Sequence, residues 1–478
     1  MILFITLNKD KKVDYLYREI YEQIKDIILK NNINEGDKLP SKRELAKQLG
    51  VSVNTITNAY EQLLVEGYIY AVERSGYFVE RITKLSNAIT TKNVHLPEDL
   101  KETETPEISK KLSLSHMDTD IKMFPFKDWF KAQQTALTKN KHHLGHITNQ
   151  QGPLCVRKTL AKMINATRGV ECEPEQIVIS VGTQPLIEQL LTILQTNKEK
   201  PLNIAVENPG YRRLYELMEQ KEVIIKPITV RENGISLEGV ERSDADVVFL
   251  TPSHQFPTGV IMPISKRFEL LNWSSKKSNR FIIEDDYDSE FKYQTDNIPS
   301  LQSLDNSQKV IYFGSFSKSL LMSFRISYMV LPISLLRKYR KYYSKLLPYN
   351  NVLNLFTLNE FISNGNYLQH VKRMNHYYEK KRIILIEHLE SVFKNDIIIN
   401  DVPAGLHFTA SFKTKKTNDE VETAAIHKKL EIRTIKHFTF SPIKEIAEDT
   451  ILLVIGFSSI ETADIKQAVE RLRSILYD

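Results

Sequence analysis

The sequence has few cysteines, little tryptophan and no apolar run of transmembrane length. Its 478 residues include two tryptophans and two cysteines, Cys155 and Cys172. Two cysteines cannot build a disulfide scaffold, and such low use is typical of a reducing compartment. Residues 1–7 are too short for a signal peptide and lack a basic lead and a cleavage site. We therefore expect a cytoplasmic protein without a membrane segment.

A strong charge of either sign is also lacking. The chain carries 65 Lys and Arg against 59 Asp and Glu, a net charge of +6. This balance permits a nucleic-acid partner without requiring one. Hydrophobic residues make up 41% and charged residues 26%, which is typical of a globular protein with a sizeable core. The length predicts about three structural units.

The first 80 residues show the pattern of a winged helix-turn-helix. Three segments carry apolar residues at helical spacing, and serines precede the second and third. Glycines follow those two helices, where αL caps are common. Two β-type runs around a turn complete the pattern. The features are a helix over 15–29, a Ser41–Glu44 capping box with a helix ending at Gly50, a helix capped by Ser52 and ended by Gly67, and a hairpin over 68–79 with its turn at 73–76.

This segment resembles the GntR-type winged helix. The family signature matches Leu-Pro-Ser-x-Arg-Glu-Leu-Ala at 39–46 and Val-Ser-x-Asn-Thr-Ile-x-x-Ala-Tyr at 51–60. The resemblance implies double-stranded DNA as a partner, contacted from the helix starts and the wing tip. The implied DNA-contacting residues are Arg43, Ser52, Asn54, Thr55, Asn58, Arg74 and Gly76.

The charge of this segment leaves an alternative open. Residues 1–80 carry 11 basic and 12 acidic side chains, a net of −1, although Lys38, Lys42, Arg43 and Lys47 lie close in sequence. DNA-binding domains ordinarily show a basic footprint. The alternative is a winged helix used for protein contacts. Weak phosphate contact per subunit makes dimerisation important, because two half-sites double the contacts.

Residues 81–112 show no sustained periodicity and are rich in Thr, Asn, Glu, Lys and Pro. Such composition buries too little apolar surface to fold by itself. We predict a flexible linker here, between a DNA-binding domain at 1–80 and a larger domain at 113–478.

The larger domain alternates strand-like and helix-like segments. This alternation predicts an α/β fold, a mainly parallel sheet with helices on both faces. Ligands of such sheets bind at the carboxyl ends of the strands. The predicted strands are 177–180, 203–206, 223–228, 245–250, 281–284 and the two apolar runs that flank Lys318.

One stretch, residues 310–330, concentrates the candidate chemistry. It holds Lys318 with Ser315, Ser317 and Ser319, and Arg325 follows seven residues after the lysine. Apolar surroundings lower the pKa of a lysine and free its neutral amine to attack a carbonyl. Hydroxyls and an arginine suit a phosphate. The combination fits pyridoxal 5′-phosphate (PLP), and the alternative is a surface lysine in a strand-loop-strand unit.

Two further segments support a cofactor site. Gly182, Thr183 and Gln184 follow a strand and open a helix, so their N–H groups can hold a phosphate. Asp285 follows a buried strand, where a carboxylate needs a cationic partner such as a protonated pyridine nitrogen. Tyr287 could bond the ring oxygen. The alternative is a Mg²⁺ or Ca²⁺ site formed by the acidic side chains Asp285, Asp286, Asp288 and Glu290.

Together these motifs resemble a fold-type I, aminotransferase-like PLP domain with a small C-terminal subdomain. They are Gly182-Thr-Gln, Asn208-Pro-Gly-Tyr, Thr-Pro-Ser-His-Gln-Phe-Pro-Thr-Gly at 251–259, Glu284-Asp-Asp-Tyr and Ser315-x-Ser-Lys-x6-Arg. With its N-terminal part, the chain resembles the MocR subfamily of GntR regulators, and within it the GabR-like, GABA-responsive type. The resemblance implies a head-to-tail homodimer with no metal.

The resemblance also implies roles for individual residues. Lys318 would form the Schiff base with PLP, Asp285 would pair with the pyridine nitrogen, and Tyr287 would face the ring oxygen. Tyr211 would stack on the ring, and Arg213 and His437 would bind the carboxylate of an amino-acid-like effector. The implied phosphate-binding residues are Gly182, Thr183, Gln184, Ser315, Ser317 and Arg325.

Three departures from the family pattern bear on the effector. Residues 322–324, Met-Ser-Phe, replace Pro-Gly-Leu before the arginine. Phe256 replaces the asparagine that bonds the ring oxygen in catalytic aminotransferases, a role that His254 or Gln255 could take over. Val454 stands where those enzymes carry an arginine for the α-carboxylate. The second arginine of GABA-type members falls near Lys436 or His437, and a solvated loop histidine is the alternative for His437.

We therefore predict a PLP-dependent transcription regulator, not an enzyme, that senses GABA or a related amine as an external aldimine. The alternative is an active aminotransferase with an appended DNA module. The substitutions at Phe256 and Val454 argue against efficient turnover. A vestigial site is a third hypothesis, and the joint presence of Lys318, Asp285 and Tyr287 argues against it.

Overall fold

A computed structural model describes residues 5–7, 13–30, 33–82, 96–101, 112–116, 120–147, 149–196, 199–293, 298–442 and 449–478, with backbone alone at 13–15. The chain divides into two compact units, Met1–Thr105 and Pro106–Asp478. Most of the predicted linker, 83–95 and 102–111, lies outside the described residues. Within the described part, no helix combines the length and the apolar character that crossing a bilayer requires.

The N-terminal unit is the predicted winged helix. An apolar face of each helix contributes to its core, in which Ile24, Leu45, Ile56 and Leu63 are fully buried. The two strands form an antiparallel hairpin that pairs Ile69 with Val79. The elements are α1 (Val13–Leu29), α2 (Lys42–Leu49), α3 (Val53–Val65), β1 (Ile69–Val72) and β2 (Gly76–Val79).

Side-chain caps fix where the two central helices begin. Ser41 Oγ accepts from the Glu44 amide at 3.2 Å, and Glu44 Oε2 accepts from the Ser41 amide at 3.4 Å, so the predicted capping box is confirmed. Ser52 Oγ accepts from the Thr55 amide at 3.1 Å. Gly50 ends α2 at φ 66°, a conformation that glycine adopts without strain. These caps set the sharp turn that presents α3.

The C-terminal unit contains a large sheet and a smaller one. The large sheet has the order β4-β11-β10-β9-β8-β5-β6-β7, and the small sheet has the order β12-β13-β16-β15. The strands are β3 (Leu112–Ser113), β4 (Ile177–Ser180), β5 (Leu202–Asn208), β6 (Val223–Arg231), β7 (Gly234–Ile235), β8 (Val247–Leu250), β9 (Phe281–Asp286), β10 (Val310–Ser315), β11 (Ser327–Val330), β12 (Ile397–Asn400), β13 (His407–Lys413), β14 (Leu430–Glu431), β15 (Arg433–Thr434) and β16 (Thr450–Gly456).

The middle of the large sheet is parallel, as predicted. Strands β10, β9, β8, β5 and β6 pair in parallel, whereas β11 runs antiparallel to both β10 and β4. Parallel sheets are buried on both faces, and alternate residues contact opposite layers: Ile283 belongs to one core and Ile282 to the other. The carboxyl ends of these strands meet at one edge.

Helices cover both faces of the large sheet. Buried residues of α6 and α10 share one core, and those of α4, α5 and α11 share a core on the other face. Helices α12 and α14 pack on the small sheet. The helices are α4 (Phe126–Asn140), α5 (Leu154–Arg168), α6 (Thr183–Gln195), α7 (Arg212–Glu219), α8 (Leu237–Arg242), α9 (Ile264–Ser275), α10 (Ile333–Tyr343), α11 (Val352–Ser363), α12 (Asn366–Phe393), α13 (Asn418–His427) and α14 (Ile465–Tyr477).

Candidate cofactor and effector site

A cavity of about 190 Å³ opens at the carboxyl ends of the parallel strands. The residues that the sequence singled out come together here, although they are up to 142 positions apart: Thr183, Gln184, Tyr211, Arg213, Asp285, Tyr287, Ser315, Ser317, Lys318 and Arg325. The remaining wall includes His116, Phe256, Met322, Leu406 and His407. The position agrees with the general rule for ligands of open α/β sheets.

Lys318 lies in the connection from β10 to β11. Ser315 and Ser327 are paired across these two strands, so both ends of the connection are fixed at one edge of the sheet. The Lys318 Nζ donates to the carbonyl oxygen of His116 at 2.5 Å. The amine is therefore held at the cavity wall rather than directed into solvent.

Hydroxyl groups and a guanidinium gather at one corner of the cavity. Ser315 Oγ donates to Ser317 Oγ at 3.0 Å and accepts from Ser327 Oγ at 2.9 Å. Gly182 precedes α6 and provides no side-chain cap, so the first amides of the helix face this corner. A Cβ on Gly182 would overlap the Arg325 guanidinium. Helix-start amides, hydroxyls and an arginine are the donors that a phosphate dianion requires.

Asp285 ends the central strand at the floor of the cavity. Burial, reinforced by the neighbouring carboxylates Asp286 and Asp288, raises the pKa of Asp285 to about 7. A cationic group placed beside it would relieve this cost. A reactive lysine, an acid in need of a cation, a phenol and a phosphate cradle around one cavity fit PLP.

The other acidic residues of this stretch point elsewhere. Asp286 accepts from Arg168 Nε at 2.7 Å and from the Tyr312 hydroxyl at 2.5 Å. Glu290 accepts from the Tyr367 hydroxyl at 3.1 Å. Because each carboxylate has its own partner, they do not converge on one point. The alternative of a Mg²⁺ or Ca²⁺ site is thereby disfavoured.

Asp288 belongs to a buried cluster with His254 and His407, whose donor atoms lie within 4.8 Å of one another. His254 Nδ1 lies 2.9 Å from Asp288 Oδ2, and His407 Nε2 lies 3.1 Å from the Pro257 carbonyl oxygen. Burial lowers the pKa of His407 well below its ordinary value, so this ring is neutral. These donors are engaged in hydrogen bonds.

The structure separates the two candidates for replacing the missing asparagine. Gln255 Nε2 donates to the carbonyl oxygens of Pro209 and Phe256, so its amide holds the backbone of the loop. His254 instead contacts the Tyr287 hydroxyl at 3.0 Å. Phe256 packs edge-on against Tyr211 and Tyr287, at 5.8 and 5.9 Å between ring centroids.

The two predicted effector residues differ in position. Arg213 lies in the first turn of α7 and lines the cavity. His437 is half-buried outside the cavity wall, and its carbonyl oxygen accepts from Arg212 Nη1 at 3.4 Å. Lys436 is paired with Asp419 at 2.8 Å. The structure therefore does not bring His437 or Lys436 into the cavity, which corrects the predicted placement of His437.

Two residues near the cavity were missed by sequence reasoning. Arg433 pairs with Val454 across β15 and β16, so it stands beside the position of the missing α-carboxylate arginine. His116 is 8% exposed, and both of its ring nitrogens lack a hydrogen-bond partner among the described residues. Burial and the nearby Lys318 lower the pKa of His116 to about 3. Only strand register reveals Arg433, and no motif marks His116.

Comparisons with known proteins agree with this geometry. Residues 16–79 match the gntR family of bacterial regulatory proteins, and residues 109–472 match the aminotransferases of class I and II. The uncharacterized HTH-type transcriptional regulator YdeL of Bacillus subtilis is 34% identical over 461 residues, 96% of each chain. The probable rhizopine catabolism regulatory protein MocR of Rhizobium meliloti is 28% identical over 486 residues, 98% of this chain and 95% of that protein. The chain belongs to the MocR-type GntR regulators.

A MocR-type regulator joins a DNA-binding unit to a domain with the fold of an enzyme. The structure of a kynurenine aminotransferase from Pyrococcus horikoshii superposes with a TM-score of 0.67. It covers 77% of this chain and 91% of its own at 22% identity, a similarity that shows the fold alone. The protein is thus a DNA-binding transcriptional regulator with an aminotransferase-like domain.

The DNA-contact residues predicted for this MocR-type regulator are mostly exposed. Exposed side chains from the set are Arg43, Ser52, Asn54, Asn58 and Arg74. Arg74 and Gly76 have positive φ angles, 60° and 122°, at the wing turn. Thr55 corrects the predicted set. Its side chain is buried and its hydroxyl lies 2.8 Å from Ser52 Oγ, so it packs inside the helix start instead of facing DNA.

Proposed function

We propose that the protein regulates transcription in response to an amine effector, GABA or a related amino acid, bound at a PLP site. The observation that carries this proposal is the convergence of Lys318, Asp285 and Arg213 on one cavity. When bound, PLP supplies an aldehyde that condenses with primary amines. A carboxylate on the effector would be bound bidentately by the Arg213 guanidinium.

Each protein group has a distinct task in this proposal. Lys318 provides the amine that holds the cofactor. Asp285 holds a proton on the ring nitrogen, which its raised pKa as a lone acid favours. Arg325 and the hydroxyls of Ser315 and Ser317 hold the phosphate. Arg433 is the better candidate than His437 for a second effector contact, because it lies opposite Val454.

The regulatory step requires two arrangements of the protein. An effector shifts their equilibrium only by binding one more tightly than the other. We propose a head-to-tail homodimer in the cytoplasm that binds two half-sites of double-stranded operator DNA, with residues 81–112 as the linker between domains 1–80 and 113–478. Two half-sites compensate for the near-neutral charge of each winged helix.

The visible absorbance of the cofactor tests the proposal. Protein purified with PLP is expected to show a visible band, because the cofactor is bound through Lys318. Lys318→Ala removes that amine and should abolish the band, while binding to the DNA upstream of the gene persists. GABA-type amines should shift the wild-type band. A wild-type protein with no band would contradict the proposal.

An active aminotransferase is the second candidate, and the presence of Lys318, Asp285 and Tyr287 around one cavity favours it. Phe256 and Val454 weigh against it, since neither can bond the groups that an enzyme bonds there. Incubation with an amine donor and a keto-acid acceptor separates the two. A regulator releases at most about one equivalent of product, as expected for a half-reaction, whereas an enzyme releases many.

A further inference from the structure

A buried pair behind Tyr287 has no task in the proposed function. His254 is 3% exposed, and its Nδ1 lies 2.9 Å from Asp288 Oδ2 and 3.0 Å from the Tyr287 hydroxyl oxygen. The rings of His254 and Tyr287 are stacked, with an interplanar angle of 25°. One imidazole nitrogen therefore contacts both an acid and the phenol of the cavity wall.

Backbone packing fixes the geometry of this pair. Gly405 lies against His254 and Asp288 so closely that a Cβ at this position would overlap both side chains. On the other side, a Cβ on Gly259 would lie 3.3 Å from His254 Nε2. The imidazole has no room to rotate or flip. Its contacts to Asp288 and Tyr287 are thus built into the fold.

The position of the imidazole proton follows from these contacts. A bare Nδ1 lone pair facing the Asp288 carboxylate would be repelled, so Nδ1 carries the hydrogen and donates it. An Nδ1–H cannot accept a proton from Tyr287. Burial and the carboxylates Asp288 and Asp285 raise the pKa of Tyr287 well above its ordinary value, so the phenol keeps its O–H. That O–H remains available to a ligand in the cavity.

We propose that His254, held by Asp288, is a positioning residue that directs the Tyr287 hydroxyl proton onto the ring oxygen of PLP. The inference rests on the proposed function and names how this site manages without the asparagine. Phe256 has no donor to offer, so the ring oxygen depends on Tyr287 alone. The His254–Asp288 pair prevents Tyr287 from using its proton within the protein.

The proposal predicts a change in the pH titration of the visible band. A hydrogen bond to the ring oxygen stabilises its negative charge and weakens its hold on the proton that it shares with the Lys318 nitrogen. Loss of that bond should raise the midpoint of the titration. Tyr287→Phe and His254→Leu should each raise it by about one pH unit.

Matched variants isolate the N–H group. His254→Asn keeps an amide N–H near the position of Nδ1 and should retain the wild-type midpoint. The other titratable groups around Tyr287, namely Asp285, Asp288 and Glu207, are the same in the Leu and Asn variants. The double variant His254→Leu/Tyr287→Phe should shift the midpoint no further than Tyr287→Phe alone, because both changes remove one hydrogen bond.

Opposite results overturn the inference without touching the proposed function. A wild-type midpoint in His254→Leu, or additive shifts in the double variant, would show that His254 does not act through Tyr287. If His254→Leu does not fold, Asp288→Asn replaces it, because an amide that donates to Nδ1 lets the imidazole accept the Tyr287 proton and raises the midpoint. An unchanged midpoint there also overturns the inference. Absence of any visible band in the wild type would instead refute the PLP site itself.

Discussion

Adjacent carboxylates at the end of β9 have opposite environments. Asp286 is compensated by Arg168 and Tyr312, whereas Asp285 faces the cavity with a raised pKa. In the absence of a cationic ligand, the charge of Asp285 is a cost to the folded state. The residue is therefore placed for binding at the expense of stability, as functional groups commonly are.

This placement gives a pH-dependent prediction for the protein without cofactor. The folded pKa of Asp285 is about 7, above its ordinary value of 3.8, so between these values the folded state holds a proton that the unfolded state has released. Stability then falls as pH rises through this window. Asp285→Asn should raise the free energy of unfolding by about 1–3 kcal/mol at pH 8 and change it little near pH 4. Urea unfolding at both pH values measures this, and equal effects would contradict it.

At this scale the sequence was informative where a motif carried the chemistry. Lys318, Asp285 and Tyr287 were predicted because each follows a recognisable strand end, and the structure brings them together. His116 and Arg433 were not, because their approach depends on strand pairing between segments distant in sequence. Tertiary register is not encoded in local spacing.

Among the elements, caps and turns were the most predictable. The Ser41–Glu44 box, the Gly50 cap and the Ser52 cap all appear as expected, since each depends only on residues within one turn. Thr55 was misplaced because its position on the helical wheel says nothing about the hydroxyl contact with Ser52. The antiparallel strand β11 also required knowledge of the whole sheet.

The exposed start of α2 gives a prediction for DNA binding. Arg43 is exposed in the first turn, and Arg43→Ala should weaken binding to the DNA upstream of the gene by about 1–3 kcal/mol. Lys30→Ala is the control, since Lys30 is an equally basic residue that ends α1 and pairs with Asp26 at 2.9 Å. Fluorescence anisotropy against salt concentration measures both. Similar losses in the two variants would show that only general charge matters.

For the whole molecule, α4 leaves an apolar face uncovered. Phe126, Phe130 and Leu137 are exposed along this helix, with Phe130 at 60%, and Leu144 and Leu154 are exposed nearby. Exposed apolar patches of this kind mark contact surfaces. We expect a second copy of the chain to cover it, which agrees with the proposed homodimer.

A charge on this face should therefore prevent dimerisation. Phe130→Glu would bury a carboxylate in the interface and should produce monomers, because an unpaired buried charge costs several kcal/mol. Ile398→Glu is the matched control, at 65% exposure on β12. Light scattering after size-exclusion chromatography measures the mass of each. A dimeric Phe130→Glu protein would remove α4 from the interface.

The strand β9 also restricts how this protein can change over time. Because successive side chains of a strand face opposite sides, a single-residue insertion or deletion before Asp285 would exchange the two carboxylates, turning the Arg168 partner toward the ligand and the ligand partner toward Arg168. Point replacements can adjust this site gradually, but a shift in length cannot. We expect natural and engineered lineages to vary in length within the surrounding loops and to keep the residue count of this strand constant.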